Sequence, residues 1–192
     1  MYDETQKKII DATMKLVMEK GYTLATTKDI AKAAGVNECT IFRKFDGKKN
    51  IVLAAMELPE WNPCLTEEDF QTTGDVEKDL IDFAKTYMRK VTPQMVKVSI
   101  GLRTPELYPE TAPRIMKVPQ TFKKVLLSYF SGLQSEGKLS DLDVEALAMQ
   151  FISMNFGYVF LDASFGTSLS DVSKERYVEN SVRVFVRGLG LE

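Results

Sequence analysis

The residues best able to do chemistry lie together near the front of the chain. From Thr26 to Lys49 the sequence reads TTKDIAKAAGVNECTIFRKFDGKK, with six basic side chains against three acidic. These groups bind rather than transform. Arginine to guanine is the most frequent specific protein–DNA pairing, so Arg43, with Lys44 beside it, can reach base edges or phosphates. Thr40 is short enough to contact a phosphate or a thymine methyl. Lys48 and the N–H groups of the helix it opens offer a phosphate anchor, as do Thr26, Thr27 and Lys28 at the preceding helix start. Catalysis has little to work with. The chain has no histidine, the commonest general base near neutral pH and the commonest metal ligand. It has no GxSxG, Walker-type loop, GxGxxG or CxxC. Asp141, Asp143 and Glu145 read as an acid-rich helix start, and Glu67, Glu68 and Asp69 as solvated surface. Two cysteines at unrelated positions make neither a disulfide framework nor a metal site. No cofactor, no metal and no enzymatic activity are expected.

Two short helices and a tight turn must position the basic stretch. Ile30, Ala31 and Ala34 give the first helix a small apolar face, and Gly35 stops it. Asn37 is a natural N-cap for the second, since its side chain can accept from an unpaired backbone N–H. At roughly 100° per residue, Ile41 and Phe45 fall on one side of that helix. Cys39, Phe42 and Arg43 fall on the other, flanked by Thr40 and Lys44. One face can bury while the opposite face enters a DNA major groove.

The charge distribution agrees. The net charge is only −2, but residues 1–50 hold ten basic against seven acidic side chains, and residues 51–192 hold fifteen against twenty. A mildly positive front on an acidic rear suits double-stranded DNA at the front alone. The start, MYDETQKK, has no signal-peptide core behind it, and no apolar run reaches the ~18 residues of a membrane-spanning helix, so a cytoplasmic protein without a membrane partner is expected.

The rest of the chain reads as helices: 3–20, the two short ones, one from Lys48 to about Leu58, then 76–91, a short piece within 94–102, 112–135, 141–164 and 171–188. Pro59, Trp61 and Pro63 open a linker over 59–74, and four of the seven prolines break up 93–113. The sum is an all-α chain of about nine helices with no strand. It divides into a helix-turn-helix head, 1–48, and a helical body, 49–192.

The stretch TTKDIAKAAGVNECTIFRKFDGKKNIV resembles the N-terminal signature of TetR-type transcriptional repressors. Thr27, Ile30, Ala31, Ala34, Gly35, Val36, Thr40, Phe45 and Lys48 stand in register with it. The family usually has Tyr where Phe42 stands, whose hydroxyl bonds a DNA phosphate; Phe42 cannot donate that bond. A small residue, often Gly, is typical where Cys39 stands, so Cys39 either fills that site or offers a redox-sensitive thiol.

The resemblance implies a homodimer joined through the last two helices. Their own patterns agree, since helix 141–164 is too apolar for one-sided burial. Phe151, Met154, Tyr158 and Leu161 on one, and Val178, Val182, Phe185 and Leu189 on the other, are the expected contacts. It also implies a small-molecule effector pocket inside helices 75–136. Phe83, Tyr87, Met88, Met95 and Leu102 are expected walls, with Phe122, Leu126 and Phe130 opposite and Phe151, Asn155 and Tyr158 beyond. These stripes carry few polar groups, so an apolar or aromatic effector is expected to release the protein from a near-palindromic operator. The competing reading is a helical dimeric small-molecule binder or scaffold whose head has lost DNA readout.

Overall fold

Nine α-helices and no strand make up the described residues, 2–191, of this computed structural model. The all-α expectation holds. Contacts divide the chain into two units, one formed by Met1–Pro63 with Gln94–Met116, the other by Cys64–Pro93 with Lys117–Glu192.

In the first unit, α1 (Glu4–Leu24) opens on a capping box: Asp3 accepts from the Gln6 N–H at 2.9 Å and the Gln6 side chain accepts from the Asp3 N–H at 3.0 Å. The helix, expected to end at residue 20, is instead kinked at Gly21, at φ 78°, and the chain winds on to Leu24. Then come α2 (Thr27–Ala34), α3 (Glu38–Phe45) and α4 (Lys48–Ala55). One apolar cluster joins Ile9, Met14 and Val17 of α1 to Ile30, Ile41 and Ile51 of the next three helices. Trp61 lies in the same cluster and donates its indole N–H to Asp11 at 3.3 Å, so the front of the expected linker is packed core.

The same unit takes in α6 (Pro93–Gly101) from Gln94 onward, and the first turns of α7 (Tyr108–Ser135). Gly101 lies against Val17: a Cβ there would sit 3.0 Å from the Val17 carbonyl oxygen. Leu102, expected in an effector wall, is instead buried in the α1 cluster, because the proline-broken segment turns back onto α1; Met95 falls in this unit as well. Helix α7 starts four residues ahead of its expected position. Pro109 sits in its first turn, where a missing N–H does no harm, and the helix continues through Pro113 and Pro119.

The second unit packs α5 (Val76–Lys90) on α8 (Val144–Phe165) and α9 (Lys174–Gly188), with the later turns of α7. Its interior is aromatic. Phe122 is sandwiched between Phe70 at 5.2 Å and Tyr87 at 4.6 Å, and Phe151 meets both Phe122 and Phe185. Among these rings lies a buried carboxylate, Asp79. It accepts from the Thr73 N–H and hydroxyl, both at 2.7 Å, from the Gly74 N–H at 3.2 Å and from the Tyr129 hydroxyl at 3.1 Å. These bonds clamp the 73–74 turn to α5 and α7.

Helix α8 departs from two expectations. It begins at Val144, capped by Asp143, three residues later than the expected start at 141. By length and composition it could cross a membrane (mean hydropathy 1.3), so the expectation that no stretch is that apolar does not hold. Leu147, Ala148, Phe151, Ile152, Asn155 and Val159 are buried within the unit, whereas Met149, Phe156, Phe160, Leu161 and Phe165 stay exposed.

Two glycines test this packing. Gly101→Ala should cost about 1–3 kcal/mol through overpacking against Val17. Gly132, in the last turn of α7, has open space where its Cβ would stand, so Gly132→Ala should add about 0.5 kcal/mol. Denaturant midpoints of the two variants should move in opposite directions.

Candidate nucleic-acid interface

The recognition face is built by caps at both ends of two eight-residue helices. Thr26 accepts from the Asp29 N–H at 3.1 Å to start α2, and Gly35, left-handed at φ 67°, ends it. Asn37 accepts from the Cys39 N–H at 2.9 Å to start α3. Asp46, at φ 56°, and Gly47 then turn the chain into α4. Lys20 holds Asp29 at 2.6 Å, and that hydrogen bond keeps the Asp29 carboxyl down at about 2.

Ile41 and Phe45 are buried, as their spacing implies, and this fixes the rotation of α3. Cys39 and Arg43, one turn apart, therefore occupy the outward pole, with Thr40 beside them half-buried. Phe42 projects at the flank, 52% exposed. Arg43 and Lys28 make no ion pair among the described residues, so their charges face solvent. An open groove of about 540 Å³ runs beside α3, lined by Phe42, Arg43, Asn50 and Arg114.

Three of the expected DNA contacts carry internal duties. The Thr27 hydroxyl donates to Glu38 at 2.6 Å, tying the start of α2 to the start of α3. Lys44 pairs with Asp3 at 2.6 Å, which lowers the Asp3 carboxyl pKa, so the same aspartate caps α1 and holds the far side of α3. Lys48 turns inward: its ammonium donates to the Tyr22 carbonyl at 2.6 Å and stands 4.0 Å over the Tyr22 ring. Burial lowers its pKa, and the Tyr22 hydroxyl in turn donates to Glu106 at 3.1 Å. The Lys48 side chain thus braces the unit, leaving the N–H groups at the start of α4 as what that position can offer a phosphate. Asp3, Tyr22 and Glu38 were missed as determinants of this face. Their partners lie 41, 26 and 11 positions away, beyond any local pattern.

In the second unit, the expected effector walls Phe83, Tyr87, Met88, Phe122, Leu126, Phe130 and Phe151 are brought together, all buried. Asn155 is buried with them. Its amide N–H donates to the Phe151 carbonyl at 2.7 Å, and its Oδ1 has no hydrogen-bond partner. Tyr158 lies apart, stacked on Tyr177 at 4.4 Å with its hydroxyl on the Val172 carbonyl. Of the expected dimer contacts, Phe151, Val178 and Val182 are core of their own unit and have no surface to give a partner. Met154, Tyr158, Phe185 and Leu189 are half-buried, and Leu161 is exposed.

A basic, outward-facing helix seated by a glycine turn on a three-helix cluster defines a helix-turn-helix DNA-binding protein. Comparison carries this further. Residues 9–55 match the family model described as bacterial regulatory proteins, tetR family, and residues 78–188 match the AefR-like transcriptional repressor C-terminal domain. The chain belongs to the TetR family of transcriptional regulators, and that family is not an enzyme class. It is 30% identical over 188 residues, 98% of each protein, to YvkB of Bacillus subtilis, described as an uncharacterized HTH-type transcriptional regulator. The fold resembles that of NalD, the secondary repressor of the MexAB-OprM multidrug efflux pump in Pseudomonas aeruginosa (TM-score 0.71, 18% identity, 97% of this chain and 95% of that one). It also resembles FadR of Bacillus subtilis, solved in complex with stearoyl-CoA (TM-score 0.68, 20% identity, 95% and 98%).

The bracing role of Lys48 separates it from Arg43. Lys48→Ala should lower the unfolding free energy by about 1–2 kcal/mol through the lost hydrogen bond and ring contact. Arg43→Ala should leave it within about 0.5 kcal/mol. Thermal unfolding of the two variants without DNA checks this.

Proposed function

We propose that this regulator is a repressor, acting in the cytoplasm as a homodimer, that a small apolar or aromatic effector releases from a near-palindromic operator. The observation that carries the reading is the outward pole of α3. Arg43 is unpaired there beside Cys39 and Thr40, with Phe42 at the flank and Lys28 at the neighbouring helix start. Arg43 reads a base edge, Thr40 and the start of α2 meet phosphates, and Phe42 supplies apolar contact where a tyrosine would donate a hydrogen bond.

The exposed side of α8 supports the dimer. Met149, Phe156, Phe160 and Leu161 form an apolar stripe that water does not solvate well, and a second copy would cover it by two-fold symmetry. Two heads would then read two half-sites. The effector reading draws on the aromatic interior of the second unit and on Asn155. Burying an amide oxygen without a donor is unfavourable, and a ligand hydroxyl or N–H would satisfy it. An effector that favours one of two dimer states shifts operator affinity by its differential binding to them. The head 1–48 and body 49–192 divide these duties.

Titration of a selected duplex at several salt concentrations tests the DNA reading. Binding should weaken steeply as salt rises. Arg43→Ala should reduce discrimination between selected and random duplexes by about 1–3 kcal/mol. No binding even at low salt would favour a dimeric binder that has lost DNA readout. Phe160→Glu, measured by sedimentation, should shift the dimer towards monomer.

A further inference from the structure

The second unit holds an open cavity of about 410 Å³, which shares Phe83 with the expected effector walls. Phe70, Phe83, Tyr129 and Asp79 are among its lining residues. A volume of this size suits a small organic molecule.

Two features of the walls select the kind of molecule. The first is charge. Asp79 is fully buried, and although burial raises its pKa, the bonds from Thr73, Gly74 and Tyr129 outweigh it and hold the carboxyl below its usual range. The group is therefore ionised at neutral pH. Its hydrogen bonds are complete, yet all four come from neutral donors, and no lysine or arginine pairs with it among the described residues. Buried charges are ordinarily paired. The other charged groups on the wall add no surplus cation: Lys138 pairs with Glu136 at 2.8 Å, and Glu67 pairs with Lys124 at 2.7 Å. The start of α5 offsets part of this charge, and what remains gives the cavity a negative field beside aromatic rings, whose faces also attract cations.

The second feature is Gly132. In the last turn of α7 a glycine still weakens the helix, and no neighbour requires it, since a Cβ would meet nothing within 4 Å. What the missing side chain does is leave the cavity open.

We propose that this cavity binds an organic monocation with an aromatic or bulky apolar body, held by the Asp79 charge, which no lysine or arginine pairs, and the rings of Phe70, Phe83 and Tyr129. The inference stands apart from operator release, because it is read on the protein alone.

Tetraphenylphosphonium and tetraphenylborate are nearly isosteric ions of opposite charge, and calorimetry on the full chain at about 0.15 M salt, where distant surface charges are screened, compares them. The cation should bind at least about tenfold more tightly. Asp79→Asn should bring the two within about threefold. Gly132→Leu, which places a side chain in the open space without disturbing the helix, should abolish cation binding while raising thermal stability. If Asp79→Asn does not fold, the wild-type ion comparison and Gly132→Leu decide the matter. Absent cation binding, equal affinities for the two ions, or unchanged cation binding in Gly132→Leu would overturn the proposal. None of these results depends on whether the protein binds its operator.

Discussion

The rotation of α3 about its own axis is the constraint on which the DNA-binding face depends, and two side chains set it. Ile41 and Phe45 bury against α1, α2 and α4, and a slip of one residue would turn the helix by about 100° and expose one of them. Asn37 and the Asp46–Gly47 turn fix where the helix starts and stops, so neither end can adjust. Arg43 is outward because Ile41 and Phe45 are inward. The same constraint assigns the flanking residues. Lys44 meets Asp3, Lys48 turns to Tyr22, and Lys49 pairs with Glu110, so three of the six basic side chains between Thr26 and Lys49 brace their own unit. What faces solvent as unspent charge is narrower than the composition implies, and it rests on Arg43, Lys28 and Lys32.

The second unit is governed by apolar surplus. Its interior takes Phe83, Phe122, Phe130 and Phe151, and α8 still shows phenylalanines on its other side. A helix apolar all round, with one side packed within its own unit, has an unmet demand for cover on the other. Within the interior the exceptions are polar. Asp79 is fully hydrogen-bonded but not charge-paired, and Asn155 has an oxygen with no donor. Such groups are unfavourable in an aromatic core unless something uses them.

Much of this was legible in the sequence, for a physical reason. Helix periodicity and caps are local, so the order of helices, the Asn37 cap and the burial of Ile41 and Phe45 could be read from spacing alone. So could the gathering of Phe83, Tyr87, Phe122 and Phe130 into one interior. The readings that went astray depended on distant partners. Phe151, Val178 and Val182 share the helical stripe of an interface, but a stripe does not say whether its cover comes from the same chain or a second one. Leu102 looked like body because it follows α5 in sequence, whereas the prolines return it to α1. Asp79 gave no signal, since an aspartate in the first turn of a helix ordinarily reads as solvated and here four donors enclose it.

Selection of bound fragments from genomic DNA by the purified protein, followed by sequencing, bears most directly on the claim that α3 reads DNA as one of a symmetric pair. The account predicts enrichment of a few loci sharing an inverted repeat, with the two half-sites related by the two-fold axis of a dimer. No enrichment over input, or enrichment of single unrepeated sites alone, would contradict it.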